Sequence, residues 1–164
     1  MTGNLIAAMG ITWLQLLVLI AASALRGADY TTSVHLIWFV AGATLLVVVT
    51  YGIAEILGTR LASVEEYTAA LPAVAIVPFF FGGSLYPITA LPGWLTTVAK
   101  VLPLTHALAL FRFGLTSDGG QALHNIWGLS NDTAMAALSL GVLVAYGALA
   151  TAGAIRLFTR AGRS

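Results

Sequence analysis

One nearly apolar part of this sequence carries residues that could do chemistry. Ser84 and His106 lie in FFFGGSLYPITALPGWLTTVAKVLPLTHALALFRFGL, residues 79–115. A hydroxyl nucleophile and an imidazole base are the minimum set for hydrolysis, so a membrane-embedded hydrolase is one interpretation. That chemistry usually needs a strand-to-helix turn to present the serine, and the residues around Ser84 do not have this pattern. Hydrolysis therefore stays the remote alternative.

Two further kinds of site find little support in the residue spacing. His35, His106 and His124 are far apart, and the sequence has no cysteine to complete a metal shell. It also lacks the G-x-x-x-x-G-K-[ST] phosphate loop, so we do not expect this chain to hydrolyse ATP itself. We predict no catalytic residue, no metal site and no cofactor held by this chain.

Composition determines the class of protein. Of 164 residues, 59% are hydrophobic and only 8% are charged, whereas a soluble domain carries about 25% charged residues. Lipid must therefore cover most of the surface. The net charge of +1 gives no reason to expect nucleic acid as a partner. The sequence predicts an all-α integral membrane protein.

Apolar stretches long enough to cross a bilayer occur four times. We predict a single transmembrane domain over residues 1–164, with spans at about 5–25, 34–57, 69–86 and 133–155. A fifth apolar segment, residues 87–115, lies between the third and fourth spans.

This fifth segment could cross the bilayer or turn back within it. A crossing helix would bury Lys100, His106 and Arg112, and each Lys or Arg costs about 2.5–3.5 kcal/mol at the centre of a helix. Pro103 in a helix interior would add about 3 kcal/mol, but it does no harm where a helix begins. We therefore predict a re-entrant hairpin over residues 87–115.

The chain's orientation follows from its basic tail. Arg156, Arg160 and Arg163 follow the last span, and the positive-inside rule then places the C-terminus in the cytoplasm. Arginine outnumbers lysine six to one and alanine is abundant, which is typical of a GC-rich bacterial genome. We expect a multi-pass protein of a bacterial plasma membrane.

The residues of the hairpin resemble a family signature. FFGGSLYP, ITALPGW and VLPLTHALALFR are similar to the ordered pattern of the ATP-binding-cassette transporter type-2 permeases, the membrane subunits of drug, polysaccharide and lipid exporters. Gly82 stands where serine is usual, and Leu102 where asparagine is common. The matching positions are Gly83, Tyr86, Pro87, Leu91, Pro92, Trp94, Pro103, Leu104, Thr105, His106 and Arg112.

The resemblance implies a function and partners. Such permeases have six helices with an outer re-entrant pair between the last two, and this sequence provides counterparts of the last four. We expect the C-terminal two-thirds of a permease, as a fragment, from a miscalled start, or with the rest on another polypeptide. It would pair with a second, identical or similar permease and with ATPase subunits that hold ATP and Mg²⁺. A non-transporting scaffold or degenerate permease is the alternative.

The resemblance also implies roles for particular residues. The signature residues named above would form an outer lid, and Phe79, Phe80 and Phe81 would form a gate beside it. Glu55 and the loop after it could contact the ATPase subunit, or could be a plain interfacial acid and a solvated turn. The charged residues of this predicted contact are Glu55, Arg60, Glu65 and Glu66.

Overall fold

The computed structural model describes residues 2–28, 30, 35–61, 63–116 and 119–161, and this part of the chain is built from α-helices. A short 3-10 turn lies between the third and fourth helices. The helices are α1 (Thr2–Leu25), α2 (Leu36–Arg60), α3 (Val64–Phe81), α4 (Gly93–Val101), α5 (Pro103–Leu115), α6 (Gly120–Trp127) and α7 (Asp132–Ala161), and the 3-10 turn is Ile88–Ala90.

Four of these helices are long and apolar enough to cross a membrane. At 1.5 Å per residue, α1, α2 and α7 are each more than about 35 Å long, and α3 is about 27 Å long. The hydrocarbon core of a bilayer is about 30 Å thick. The predicted all-α membrane fold with four long helices and a bent helix pair is confirmed.

Local side chains set where two of these helices begin. Ser63 accepts a hydrogen bond from the Glu66 backbone N–H at 3.1 Å and caps α3. Asn131 Oδ1 accepts from the Ala134 N–H at 3.0 Å and caps α7. Each cap satisfies a backbone donor that has no partner inside its helix. The third span ends at Phe81 rather than near residue 86, because Gly83 adopts a left-handed φ of 86°.

The re-entrant hairpin contains a sharp bend. Helices α4 and α5 meet at 80°, and Leu102 between them is extended, with φ −66° and ψ 131°. A residue that precedes proline is driven out of the helical region, and Pro103 itself cannot donate to the preceding turn. The two helices are about 13 Å and 20 Å long, so neither can cross a bilayer alone.

The end of α5 returns to the end of the bundle where α2 begins. A Cβ added to Gly114 would lie 2.6 Å from Phe39 Cβ, and one added to Gly42 would lie 3.1 Å from Leu110 Cβ. Gly120, just after α5, is equally close to Asp132, where α7 begins. The end of α3 and the end of α5 thus lie at the same end of the bundle, which we call the hairpin end. A re-entrant path fits this arrangement and a crossing does not.

The bend of the hairpin reaches deep into the bundle. The Tyr146 hydroxyl donates to the Val101 carbonyl at 3.0 Å. Tyr146 lies about 21 Å along α7 from Asp132. The bend therefore lies inside the bundle, away from the hairpin end.

Helices α2 and α7 run parallel and in close contact. A Cβ on Gly52 would lie 2.7 Å from Ala150 Cβ, Gly147 faces Val49, and further along Gly153 faces Ile56. A stripe of small residues lies on the other side of α7. Its members are exposed: Ala137, Gly141, Ala145, Ala148 and Ala152.

Candidate functional site

An apolar groove of about 510 Å³ opens between the helices of the described part of the chain. Ligand pockets in proteins are typically about 300–1,000 Å³. Four helices build it: α1, α2 and α3 form the walls, and the beginning of α5 forms the end. Its lining includes Ala8, Leu46, Ile53, Leu57, Leu71, Val74, Ala75, Pro78, Phe79, Pro103 and Leu104.

The few polar residues of the groove are mostly satisfied within the protein. Thr50 donates to the Leu46 carbonyl at 2.9 Å. The Tyr51 hydroxyl donates to Glu55 on the same helix and also bonds the Asn4 side chain of α1. The groove therefore offers mainly hydrocarbon contact, with polar groups toward the ends of α1 and α2 that lie away from the hairpin. Such a surface suits an apolar or amphiphilic molecule.

The three phenylalanines predicted as a gate do not act as one group. Phe79 lines the groove, and its ring packs edge-on against Phe80 at 6.0 Å between centroids. Phe80 is 45% exposed and Phe81 is half-buried. Of these three, Phe79 is placed to meet a molecule in the groove, and the gate itself stays a prediction.

His106 belongs to a buried chain of hydrogen bonds. Trp127 Nε1 donates to Ser139 Oγ at 2.8 Å, and Ser139 Oγ lies 3.2 Å from His106 Nδ1. His106 Nε2 lies 2.9 Å from the Lys100 carbonyl.

The groups at the two ends of this hydrogen-bond chain determine which atom donates in each bond. An indole can only donate and a carbonyl can only accept, so His106 carries its proton on Nε2 and Ser139 donates to Nδ1. His106 and Ser139 are 1% and 0% exposed. These hydrogen bonds connect α4 and α5 of the hairpin to α6 and α7.

Arg112 closes the other side of the hairpin. Its Nη2 donates to the Gly83 carbonyl at 2.6 Å. A hydrogen bond to a charged donor is roughly twice as strong as a neutral one. Gly83 can present its carbonyl in this way because of its left-handed backbone. The link joins the end of α3 to α5.

The remaining signature residues shape the turn and the start of α4. Pro87 and Pro92 precede the 3-10 turn and α4, and neither helix start needs an N–H there. Thr96 Oγ1 lies 3.1 Å from the Ile88 and Leu91 carbonyls, so it holds the turn against α4. Tyr86 and Trp94 are 37% and 70% exposed, as expected of aromatic residues at headgroup level.

The residues predicted to contact an ATPase lie at the end opposite the hairpin. Arg60 ends α2, and Glu65 and Glu66 lie in the first turn of α3; all three are exposed. Glu55 is half-buried one turn after Tyr51. Of the basic tail, Arg156 is exposed on α7, and Arg163 lies outside the described residues.

The geometry does not assemble the pair that hydrolysis would need. Both ring nitrogens of His106 are engaged by Ser139 and Lys100, and Ser84 Oγ has no hydrogen-bond partner in the described structure. The fully buried Ser139 is inaccessible to a substrate. The described residues also contain no group of three or more metal-ligating side chains.

A bundle of four long apolar helices, with a bent helix pair between the third and the fourth, defines a multi-pass membrane protein. Within that class the chain belongs to the ABC-2 type transporter family, whose family model matches residues 1–116. The match ends just after α5, so α6 and α7 lie beyond it. Searches of curated proteins and of solved structures gave no match.

Membership of this family has three consequences. The chain is a transporter permease component, and such components are not themselves catalytic. It is a multi-pass membrane protein. Members of the family normally partner with an ABC ATPase.

Sequence reasoning missed the residues that hold the hairpin from outside it. Ser139 and Tyr146 lie on α7, and Trp127 lies on α6. Within a strongly apolar span, the one signal for Ser139 and Tyr146 is their polarity, because polar groups at membrane depth need partners. Their partners are too distant in sequence to be found by periodicity.

Proposed function

We propose that this chain is a membrane-spanning permease subunit of an ATP-driven exporter for a hydrophobic drug, lipid or polysaccharide. The observation that carries the proposal is the apolar groove of about 510 Å³. It lies between three spans and ends at the re-entrant hairpin, so a change in the hairpin's position changes the groove.

The proposed mechanism is alternating access. Two ATPase subunits, which hold ATP and Mg²⁺, would bind at the end that carries Arg60, Glu65 and Glu66. Their closure on ATP would shift α2 and α3 against the hairpin. The hairpin is the proposed outer lid. Because hydrogen bonds fix it to α7 and not to α3 alone, α2 and α3 would move relative to it. A second permease, identical or similar, would complete the path, and membrane lipid would cover the rest.

The orientation is part of the proposal. We infer a bacterial plasma membrane, a cytoplasmic C-terminus and an outward-facing hairpin from the basic tail. In right-side-out vesicles, an impermeant maleimide should label Ser130→Cys in the exposed loop before α7, and should spare Thr59→Cys near Arg60 until the membrane is permeabilised. Labelling with the opposite preference would refute the orientation.

Transport is tested with a groove-filling substitution. Val74 lines the groove, whereas its neighbour Ile76 on the same helix does not and is 50% exposed. In proteoliposomes of the chain captured with its ATPase, Val74→Trp should lower ATP-dependent efflux of a hydrophobic dye at least several-fold. Ile76→Trp, the matched control, should leave efflux near the wild-type rate.

Two results would contradict the proposal. If the wild-type complex hydrolyses ATP but moves no apolar probe, lipid or polymer, the scaffold alternative gains support. If both tryptophan variants reduce efflux equally, the groove is not the path.

A further inference from the structure

Gln15 places a carboxamide in the middle of α1, on a face that the rest of the chain does not cover. At 1.5 Å per residue it lies about 20 Å from the beginning of the helix and about 15 Å from its end. Its side chain is exposed, and it makes no hydrogen bond among the described residues. Headgroup water begins about 15 Å from the centre of a bilayer. A polar side chain at this depth therefore needs a partner inside the membrane.

The amide lies on a line of exposed residues along α1. These residues follow one another by steps of four, three, four and three, which is the spacing of a helix that packs lengthwise against another helix. We call them the Gln15 seam, and all five are exposed: Ile11, Gln15, Val18, Ala22 and Leu25.

A shallow hollow on this side of α1 is open outward. Among the described residues its wall consists of Leu14, Gln15, Val18 and Leu19, all on α1. One helix cannot enclose a hollow, so the opposite wall has to come from another molecule.

Lipid, a transported molecule and a membrane helix are the three occupants to consider. Acyl chains have no group that can hydrogen-bond to an amide. A molecule in the groove contacts Ala8 and Thr12 of α1, whereas Gln15 is not part of the groove lining. Glutamine side chains do form hydrogen bonds between membrane helices. A helix is therefore the occupant that suits the seam.

The amide itself favours a second copy of this chain as the source of that helix. A carboxamide both donates and accepts, so two of them can hydrogen-bond to each other. In a twofold-symmetric contact the same surface patch is used by both subunits. When two copies insert in the same orientation, with the axis along the membrane normal, Gln15 of one copy lies at the same depth as Gln15 of the other.

We propose that the Gln15 seam is a contact between two copies of this chain in the membrane, with the two Gln15 amides hydrogen-bonded across the twofold axis. The inference rests on the proposed function, which includes a second permease, and it names that partner as an identical chain and α1 as the contact. A single polar residue in an apolar seam also determines the register of the two helices.

Disulfide cross-linking locates the contact, because the sequence has no cysteine of its own. Val18→Cys lies on the seam, and the adjacent Leu17→Cys lies about 100° around the helix from it. The two native side chains are almost equally exposed, at 58% and 60%. A disulfide forms only when the two Cα atoms come within about 7 Å.

The full chain is produced in membranes as a mixture of copies with two different tags, and an oxidant is added. Val18→Cys should give a dimer that carries both tags, in several-fold higher yield than the matched control Leu17→Cys. Equal yields at the two positions would overturn the proposal. So would a cross-linked product that joins one tagged chain to a different protein.

A substitution at Gln15 tests the hydrogen bond between the amides. Gln15→Leu removes the amide from a helix that remains apolar enough to insert. It should raise the dimer dissociation constant in a bilayer roughly 3- to 20-fold, as measured by energy transfer between labelled chains during dilution with lipid. Gln15→Asn keeps an amide and should raise the constant less. An unchanged constant in Gln15→Leu would contradict the paired amides.

Failure of the seam and failure of the exporter proposal give different results. If Val18→Cys forms the dimer and the wild-type complex moves no apolar probe, the seam stands and the exporter proposal fails. If transport is intact and neither cysteine variant gives the dimer with both tags, the permeases pair through another face and the seam is wrong.

Discussion

The substitution Ser139→Ala should remove the central link between the hairpin and the rest of the bundle. Ser139 accepts from Trp127 at 2.8 Å and donates to His106 at 3.2 Å. Alanine fills most of the same space, so packing changes little. The variant leaves an indole N–H and an imidazole Nδ1 without their partner.

The size of the effect follows from burial. Two side-chain bonds in a membrane protein contribute at least about 1 kcal/mol together, at an average of about 0.6 kcal/mol each. A buried group left without a partner costs about 1–3 kcal/mol. His106 is fully buried and bears that cost, whereas Trp127 is half-buried and recovers part of it. We expect a loss of about 1–4 kcal/mol in the free energy of unfolding.

Thermal unfolding of the purified chain in detergent measures this loss. For a chain of this length, about 1–4 kcal/mol corresponds to a fall of about 2–16 °C in melting temperature. Ser130→Ala is the control, since Ser130 is exposed in the loop before α7. The same fall in both variants would refute the reasoning. So would additivity of Ser139→Ala with Trp127→Phe, because a shared bond requires coupling between them.

Three further predictions concern packing and links of the hairpin. Gly114→Ala places a Cβ 2.6 Å from Phe39 Cβ and should lower the melting temperature by several degrees, whereas Gly141→Ala, which meets nothing within 4 Å, should raise it slightly; equal shifts would contradict the contact. Tyr146→Phe should cost about 0.6 kcal/mol in denaturant unfolding, and no loss would argue against its bond to Val101. Arg112→Met should speed hydrogen exchange at the backbone amides of the turn after α3 and leave α7 unchanged; uniform acceleration would indicate general unfolding.

Much of the fold could be predicted from the sequence, because the membrane restricts the choices. A long apolar stretch can only be a helix there. Proline is favoured at the first position of a helix, so Pro103 indicates where one begins. The charges near it made a crossing costly, and the structure contains the expected bent pair.

Other features could not be predicted from local patterns. Small residues occur on two faces of α7, and a periodic pattern does not show that the contact with α2 uses the face of Gly147 and Ala150. Helix α6 lies in the polar segment between α5 and α7. It is only eight residues long, and its one signal is the spacing of Leu123 and Ile126, which are buried.

The pairings that build the hairpin site were beyond sequence reasoning for a related reason. His106 and Arg112 belong to one recognisable run, but Ser139, which bonds His106, and the Gly83 carbonyl, which accepts from Arg112, come from other elements. A periodic pattern reveals which face of a helix is apolar. It does not reveal which residue on another helix will meet a given atom.

Helix α3 has no buried residue in the described structure, although it forms a wall of the groove. The groove is therefore bounded on this side by a helix that little else holds in place, next to the acyl chains of the bilayer. A molecule that reaches it from there arrives at the concentration set by its partition into lipid. Each added methylene is worth about 0.8 kcal/mol, a rise of roughly fourfold in that local concentration. Among homologous compounds, apparent affinity measured against the aqueous concentration should follow lipophilicity more closely than shape.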